Sequence, residues 1–211
     1  MKAILPILLG CALGLSTAAA APLRLNLGDG LLYARVIRLP GDLPADAPRP
    51  GHPLVLDLRY VRGDAADAGR LLAWLRARAG VRHPVLMLVN AQTSPALLAP
   101  LASADAVPGV VIIGPDTADF AVDIPVSIPP AAELRAYDAL AKGADPAKLI
   151  DANPPKTRDD EARLEREHLP DEDAGDAPAD QAGSKWTPPL VDRALRRAVQ
   201  LDRTLLALKR I

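Results

Sequence analysis

Three short polar runs follow apolar segments of the chain, and each contains residue types that take part in catalysis or ligand binding. The runs are Asp57–Asp64, Asn90–Ser94 and Gly114–Phe120. Ligand sites of parallel sheets lie beyond the carboxyl ends of the strands, so these runs are expected to meet at one edge. The expected groove residues are Gly63, Asp64, Asn90, Thr93, Ser94, Gly114, Thr117 and Phe120.

Ser94 is the serine best placed to act as a nucleophile in acyl transfer. That chemistry requires a neighbouring base that accepts the hydroxyl proton. The alternative is a helix N-cap, in which the Ser94 oxygen accepts from the amide of Ala96 or Leu97 and Pro95 takes the first helical position. We favour the cap, because it needs no further residue.

Other polar residues offer weaker candidates for chemistry. Asp64, Asp116 and Asp119 could gather at the sheet edge and hold a hard cation, but loop acids are usually solvated. Asp57 and Arg59 are typical of a structural pair at a strand end. We therefore predict no metal and no cofactor, since the histidines also lack metal-ligand spacing: His52, His83 and His168.

Composition excludes several classes of function. The 211 residues have a formal net charge of −1 and 3% aromatic residues, and they include one cysteine. Nucleic-acid binding is not expected, since neither a basic surface nor a set of stacking rings is available. A disulfide framework is excluded by the cysteine count.

The elements around the polar runs alternate between strands and helices, which predicts an α/β fold with a mostly parallel sheet and right-handed crossover helices. An antiparallel hairpin precedes them, followed by a proline-rich irregular loop over 40–53. Gly80 is expected to end the first helix as its C′ residue. The predicted strands are 23–27, 31–39, 54–58, 84–89, 110–113 and 124–128, and the predicted helices are 64–79, one that begins at Pro95, and 131–142.

The first 21 residues have the pattern of a secretory signal peptide. A charged Met1–Lys2 precedes the apolar run Ile4–Leu15, and the small residues Ser16–Ala21 form a cleavage zone. The chain is therefore expected to be exported, to the periplasm or beyond, without a membrane span. Leu8–Cys11 also resembles a lipoprotein box, which would make Cys11 the lipidated N-terminus, although ordinary cleavage fits the long apolar run better.

The chain changes character after the α/β core, which is assigned to residues 22–142. Residues 143–188 are acidic and rich in proline and alanine, which predicts a largely disordered linker. Residues 189–211 form a basic amphipathic pattern and predict a final helix. That helix is expected to dock on the core, and binding to a membrane or a partner helix is the alternative.

Three segments resemble one protein family when they are taken in order. Leu54–Asp64 resembles a strand that ends in Asp-Leu-Arg-x-Asn-x-Gly-Gly, Pro84–Ala96 a nucleophile segment Val-Asn-x-x-Thr-Ala-Ser-Ala-x-Glu, and Val110–Phe120 a segment Val-x-Gly-x-x-Thr-x-Gly-Lys. These are motifs of the carboxy-terminal processing (tail-specific) serine proteases. Tyr33–Val36 and Leu190–Leu208 are similar to the family's preceding strand and closing helix. The resemblance implies a ClpP/crotonase-like fold.

The chain departs from this family at the positions that carry its chemistry. Pro95 falls where the nucleophile is expected, and Ser94 lies one position early. Phe120 takes the place of the lysine that serves as the base, which the family keeps neutral by burial. Val61 replaces the asparagine of the first motif, and Asp64 puts a carboxylate where the oxyanion site needs a glycine.

These departures predict an exported, catalytically inactive relative that serves as a peptide-binding or scaffold module in the cell envelope. An extended peptide could still add to its groove as a strand, because that mode needs backbone groups and apolar pockets but no nucleophile. The alternatives are an active serine hydrolase that uses Ser94 with a non-standard base, and a chain whose partner supplies the base. From the resemblance alone, a homo-oligomer is expected.

Overall fold

The computed structural model describes residues 22–44, 52–101, 107–117, 120–151 and 189–211. The predicted signal peptide with Cys11 lies outside these residues, as do His168 and most of the predicted acidic linker. In the part of the chain that the structure describes, no helix is both long enough and apolar enough to cross a membrane.

A six-stranded sheet forms the centre of the molecule, with its strands side by side in chain order. The first two strands pair antiparallel as the predicted hairpin, and every later pair is parallel. The predicted α/β fold with a mostly parallel sheet is therefore confirmed. The strands are β1 Arg24–Asn26, β2 Leu32–Arg35, β3 Leu54–Asp57, β4 Val85–Leu88, β5 Val110–Gly114 and β6 Ile124–Pro125.

Two crossover helices cover one face of the sheet. Helix α1 (Ala65–Arg78) connects β3 to β4, and α2 (Pro95–Leu98), continued by a 3₁₀ turn over Ala99–Leu101, lies between β4 and β5. Right-handed connections between neighbouring parallel strands in chain order must lie on the same face. Both central strands are completely buried, which explains why their sequences show apolar runs without alternation.

Among the described residues, three further helices are packed on the opposite face: α3 (Pro130–Ala141), α4 (Pro146–Ile150) and α5 (Arg193–Ala207). The inward side of α5 packs against this face of the sheet, so the docking expected of the final helix is confirmed. The buried residues of this second core are Leu31, Tyr33, Val55, Leu86, Leu88, Ile113, Leu140, Leu149, Ile150, Ala194, Leu195, Ala198 and Val199.

Helix α4 corrects the boundary predicted between the core and the acidic linker. It lies inside the range assigned to the linker, and its Leu149 and Ile150 are buried. Asp145 caps it by accepting from the amide of Ala147, and Pro146 occupies the first helical position. The folded core thus extends to Asp151. The apolar pair Leu149 and Ile150, within an otherwise polar run, is sufficient to pack α4 against α5.

Local chemistry also shortens two predicted strands and changes one helix end. β2 stops at Arg35 because the amides of Ile37 and Arg38 donate to the carboxylate of Asp42 in a turn. β6 covers only Ile124–Pro125, although the amide of Val126 still donates to the Gly114 carbonyl at 2.7 Å. Gly80 takes the predicted C′ position after the C-cap Ala79, but the helix ends in extended backbone without a left-handed glycine, and Gly80 forms an isolated bridge with His83.

Asp202 on the inward side of α5 leads to a prediction about stability. Its side chain is 1% exposed, and its Oδ1 has no hydrogen-bond partner among the described residues. Burial, then the charge of Asp29, raise its pKa to about 6, against the opposing effect of Arg203. Since the unfolded pKa is about 4, ionised Asp202 destabilises the fold increasingly as the pH rises from ~4 to above ~6.

We expect Asp202→Asn to raise the free energy of unfolding by about 1–3 kcal/mol at pH ~8 and to change it little at pH ~4. Urea denaturation at both pH values measures the difference. Asp138→Asn, at an exposed position of α3, is the matched control and should behave as the parent protein. A less stable Asp202→Asn protein at pH ~8 would contradict the argument.

Candidate functional site

A cleft of about 350 Å³ opens at the carboxyl edge of the parallel strands. It lies between the loop that follows β4, the short helix α2 and the loop that follows β5. This is the edge at which the sequence predicted a groove. The cleft is lined by Asn90, Ala91, Thr93, Pro95, Leu98, Ala99, Thr117 and Phe120.

Asn90 organises the loop that forms one wall of the cleft. Its Oδ1 accepts from the backbone amides of Tyr60 (3.3 Å), Gln92 (3.0 Å) and Thr93 (3.1 Å). Its Nδ2 donates to Glu133 Oε2 at 3.1 Å. The side chain is buried and holds the loops after β3 and β4 together, so its hydrogen-bonding atoms are already engaged within the protein.

The two threonines of the cleft are engaged in the same way. The Thr93 hydroxyl donates to the Leu58 carbonyl at 3.1 Å and accepts from the backbone amide of Asn90 at 3.0 Å. The Thr117 hydroxyl donates to the Phe120 carbonyl at 3.2 Å and accepts from the Phe120 amide at 3.1 Å. The polar side chains of the cleft therefore serve the loops, and a ligand would meet mainly apolar surface.

Ser94 takes the N-cap position of α2, but its hydroxyl does not cap the helix. The Oγ instead donates to the carbonyl of Gly63 at 2.7 Å, and no side-chain cap bond is made. The predicted bond to the amide of Ala96 or Leu97 is therefore wrong. The backbone explains the difference, because the Ser94 amide donates to the Val61 carbonyl and brings the serine against the loop before α1.

The two positions that depart most from the protease pattern both line the cleft. Pro95 is the first residue of α2, and Phe120 is buried to all but 8% of its surface. Lys142 follows the end of α3 and is not among the cleft residues. His83 bridges Gly80 at the amino end of β4, away from this edge. Within the described residues, no side chain that could act as a general base lines the cleft.

Three other predicted groove residues have structural roles and do not line the cleft. A Cβ on Gly63 would lie 2.7 Å from the side chain of Leu97, and one on Gly114 would lie 2.4 Å from the carbonyl oxygen of Val89. Asp64 is the N-cap of α1 and forms a capping box. Close packing explains the two glycines, and helix capping explains the acid.

The acidic residues that could have formed a cation site are not gathered for one. Asp64 caps α1, and Asp116 Oδ1 accepts from the amide of Val122 at 3.3 Å. Asp119 lies outside the described residues. Among the residues that the structure describes, no group of three His, Cys, Asp or Glu side chains could hold a metal ion.

A buried charge network lies next to the cleft and is centred on Arg59, which has no exposed surface. Its guanidinium donates to Asp57 Oδ2 at 2.7 Å and to Asp192 Oδ1 and Oδ2 at 3.0 and 2.9 Å. Glu133 lies 3.9 Å away, and Tyr33 donates to Asp57 at 2.6 Å. The structural pairing expected for Asp57 and Arg59 is confirmed.

The network shifts the pKa values of its acids in opposite directions. Burial alone would raise the pKa of Asp57, but the charge and hydrogen bonds of Arg59 hold it below its ordinary value. Burial raises the pKa of Glu133, because Arg59 and the bond from Asn90 compensate only in part. Glu133 Oε1 has no hydrogen-bond partner among the described residues. Asp57 thus remains ionised at neutral pH.

An aromatic stack lies against the network. The Arg35 guanidinium lies 3.6 Å from the ring centroid of Tyr137, and the Arg59 guanidinium lies 5.3 Å from the same centroid. Tyr60 meets Tyr137 edge to face at 4.8 Å and has a left-handed φ of 66°, which is unusual for a bulky residue. Tyr60 joins the stack to the loop that Asn90 holds.

Sequence reasoning missed Asp192 and Glu133 as members of this network. Asp192 is 133 positions from Arg59 and also caps α5 by accepting from the Leu195 amide. An acid just before an amphipathic run is typical of a helix N-cap, and this pattern contains no sign of a distant cation. Glu133 lies in the first turn of α3, where acids are common because they interact favourably with the helix dipole. No local signal joins either acid to the strand end.

Comparisons with protein-family models, with curated proteins and with solved structures give no match to this chain.

Proposed function

We propose that this protein is a non-hydrolytic member of the tail-specific-protease type, and that its cleft binds an extended apolar peptide segment. The observation that carries the proposal is the engagement of every polar side chain of the cleft, namely Asn90, Thr93 and Thr117, in hydrogen bonds within the protein. Such a cleft offers hydrophobic contact rather than proton transfer.

The surroundings of Ser94 support the absence of hydrolysis. Its hydroxyl donates to a main-chain carbonyl, which cannot accept its proton in a reaction. A serine nucleophile needs a base within hydrogen-bond reach, and the residue at the lysine position is Phe120. The chemistry of the cleft therefore favours binding over acyl transfer.

The alternative of a serine hydrolase is tested by fluorophosphonate labelling of the full chain beside Ser94→Ala. A casein-digestion assay runs on the same two samples. We expect neither labelling nor digestion from folded protein. Labelling and digestion that disappear in Ser94→Ala would replace the binding proposal with a hydrolase whose base is still to be found.

Peptide binding is tested by filling the cleft from an exposed position. Ala99 lines the cleft and is exposed, so Ala99→Trp should block the cleft with little effect on the core. The probes are fluorescent decapeptides with leucine or valine at alternate positions, in carboxylate and amide forms. In anisotropy titrations, we expect Ala99→Trp to bind these peptides at least about tenfold more weakly than the parent protein does.

Ala96→Trp is the matched control, because Ala96 is an exposed alanine of α2, three residues before Ala99, and does not line the cleft. It should bind the decapeptides as the parent protein does. Equal loss in both variants, or no binding by the parent protein, would contradict the proposal.

The ClpP/crotonase-like form of the fold is part of the same proposal. A parallel sheet with strands in chain order, and two crossover helices on one face, supports it. Export to the cell envelope follows from the pattern of the first 21 residues. In that setting the peptide would be a segment of another envelope protein, and assembly of several copies remains a prediction from the resemblance.

A further inference from the structure

Positive charge is concentrated at the C-terminal end of the chain, in a segment that does not line the cleft. Residues 193–211 contain six basic residues and one acidic residue, a local charge of +5 in a chain whose net charge is −1. The rest of the chain therefore carries −6. The basic residues are Arg193, Arg196, Arg197, Arg203, Lys209 and Arg210.

Helix α5 has a buried inward side and an exposed outward side, and the exposed basic residues of the helix lie on the outward side. The inward side is buried and contains the one acid, Asp202, with small and apolar residues. The outward side is exposed from Arg193 through Arg197 and Gln200 to Arg203. At 1.5 Å per residue, the helix that carries this basic stripe is about 22 Å long.

Most cations of the stripe have no acidic partner among the described residues. Arg203 has long contacts of 3.8 Å to Asp29 and 3.9 Å to Asp151, and about half of its side chain is exposed. No ion pair with another described residue involves Arg197, Lys209 or Arg210, and all three are exposed. Within the described residues the stripe is thus an exposed positive surface with few neutralising contacts.

An apolar end continues the basic stripe. Leu208 is 63% exposed, and Leu205, Leu206 and Ile211 are half-buried and lie outside both core clusters. The helix closes in a Schellman arrangement, in which the amide of Lys209 donates to Leu206 and that of Arg210 to Leu205. Leucines and cations therefore alternate around one exposed turn.

We propose that the outward face of α5, defined by Arg193, Arg197, Arg203, Lys209, Arg210 and Leu208, docks the protein on an anionic lipid bilayer. Headgroup phosphates and carboxylates attract such a basic stripe, and interfacial helices place leucines at the boundary of the acyl chains. The shape of the face favours a bilayer over an acidic protein. The face is the convex side of a single helix, and none of its residues lines the cleft at the carboxyl edge.

The proposal is tested by sedimentation of the full chain with vesicles that contain about a third phosphatidylglycerol, and with pure phosphatidylcholine vesicles. The variant Arg197→Glu/Lys209→Glu/Arg210→Glu reverses three exposed charges of the face. The matched control, Arg70→Glu/Arg76→Glu/Arg82→Glu, reverses three exposed charges of α1 and the turn before β4. Both variants retain residues 1–21, so any binding by that segment cancels in the comparison.

We expect the parent protein and the control to bind the anionic vesicles. The α5 variant should bind them at least about tenfold more weakly. Leu208→Asp should reduce binding in the same direction. Equal binding of both triple variants, or equal binding to the two kinds of vesicle, would overturn the proposal. Binding to soluble heparin without binding to anionic vesicles would overturn it too, and would assign the face to an acidic macromolecule. None of these outcomes bears on peptide binding in the cleft.

Discussion

Arg59→Met is expected to lower the free energy of unfolding by about 3–5 kcal/mol. Methionine fills a similar volume but leaves Asp57 and Asp192 buried without the cation that both bind. Because removal of one partner from a buried ion network leaves uncompensated charge, the loss is larger than for a surface pair. Urea denaturation at pH ~7 measures it.

The pH dependence of the same variant provides a second check. In the parent protein the pKa of Asp57 is held below its ordinary value, so its contribution to stability is present above pH ~4 and is lost as the pH falls further. Without Arg59, burial is expected to raise that pKa. The variant should therefore lose more stability than the parent protein as the pH rises from ~5 to ~8, beyond the decline that Asp202 causes in both proteins.

Arg62→Met is the matched control for Arg59→Met. Arg62 is exposed, and its side chain makes a 3.3 Å hydrogen bond to Gln92. A change within about 0.5 kcal/mol is expected there, as for other exposed charges. If Arg59→Met were as stable as Arg62→Met, the network could not be what holds α5 to the strand end.

Gly114→Ala is expected to destabilise the protein by about 3 kcal/mol. The added Cβ would lie 2.4 Å from the carbonyl oxygen of Val89, a backbone atom of the neighbouring chain segment. Neither strand can yield easily, because Val89 donates to Ile113 and the Gly114 carbonyl accepts from Val126. Thermal unfolding measures the loss, and an unchanged Tm would contradict the close approach.

Gly69→Ala is the matched control and should act in the opposite direction. Gly69 lies in α1, is exposed, and has nothing within 4 Å of an added Cβ. Alanine in an exposed helix interior is more favourable than glycine by about 0.5–1 kcal/mol. The pair of variants separates the effect of strand contact from the general effect of adding a methyl group.

The structure places the charged and the apolar parts of the carboxyl edge side by side. Arg59 and its acids bind α5, whereas the cleft beside them is built from α2 and the loops after β4 and β5. Asn90 connects the two parts, because it lines the cleft and donates to Glu133. The rigidity of the cleft wall therefore depends in part on the network.

The sequence by itself determined the order and type of the central elements. Strands such as Val85–Leu88 are uniformly apolar, and α1 has apolar residues at helical spacing, so local composition was sufficient to predict them. The place of the groove followed as well, since the carboxyl ends of parallel strands share one edge. Asn90, Thr93, Thr117 and Phe120 were expected there and line the cleft.

Only the tertiary structure decided which polar groups of this edge are bound and to what. The partner of the Ser94 hydroxyl is a carbonyl 31 positions away, and Asp192 reaches Arg59 across 133 positions. Such pairings depend on the packing of α1 and α5 on opposite faces of the sheet. A residue type and its neighbours in the chain carry no information about that distance, whereas the apolar runs and caps act within a few residues of their own position.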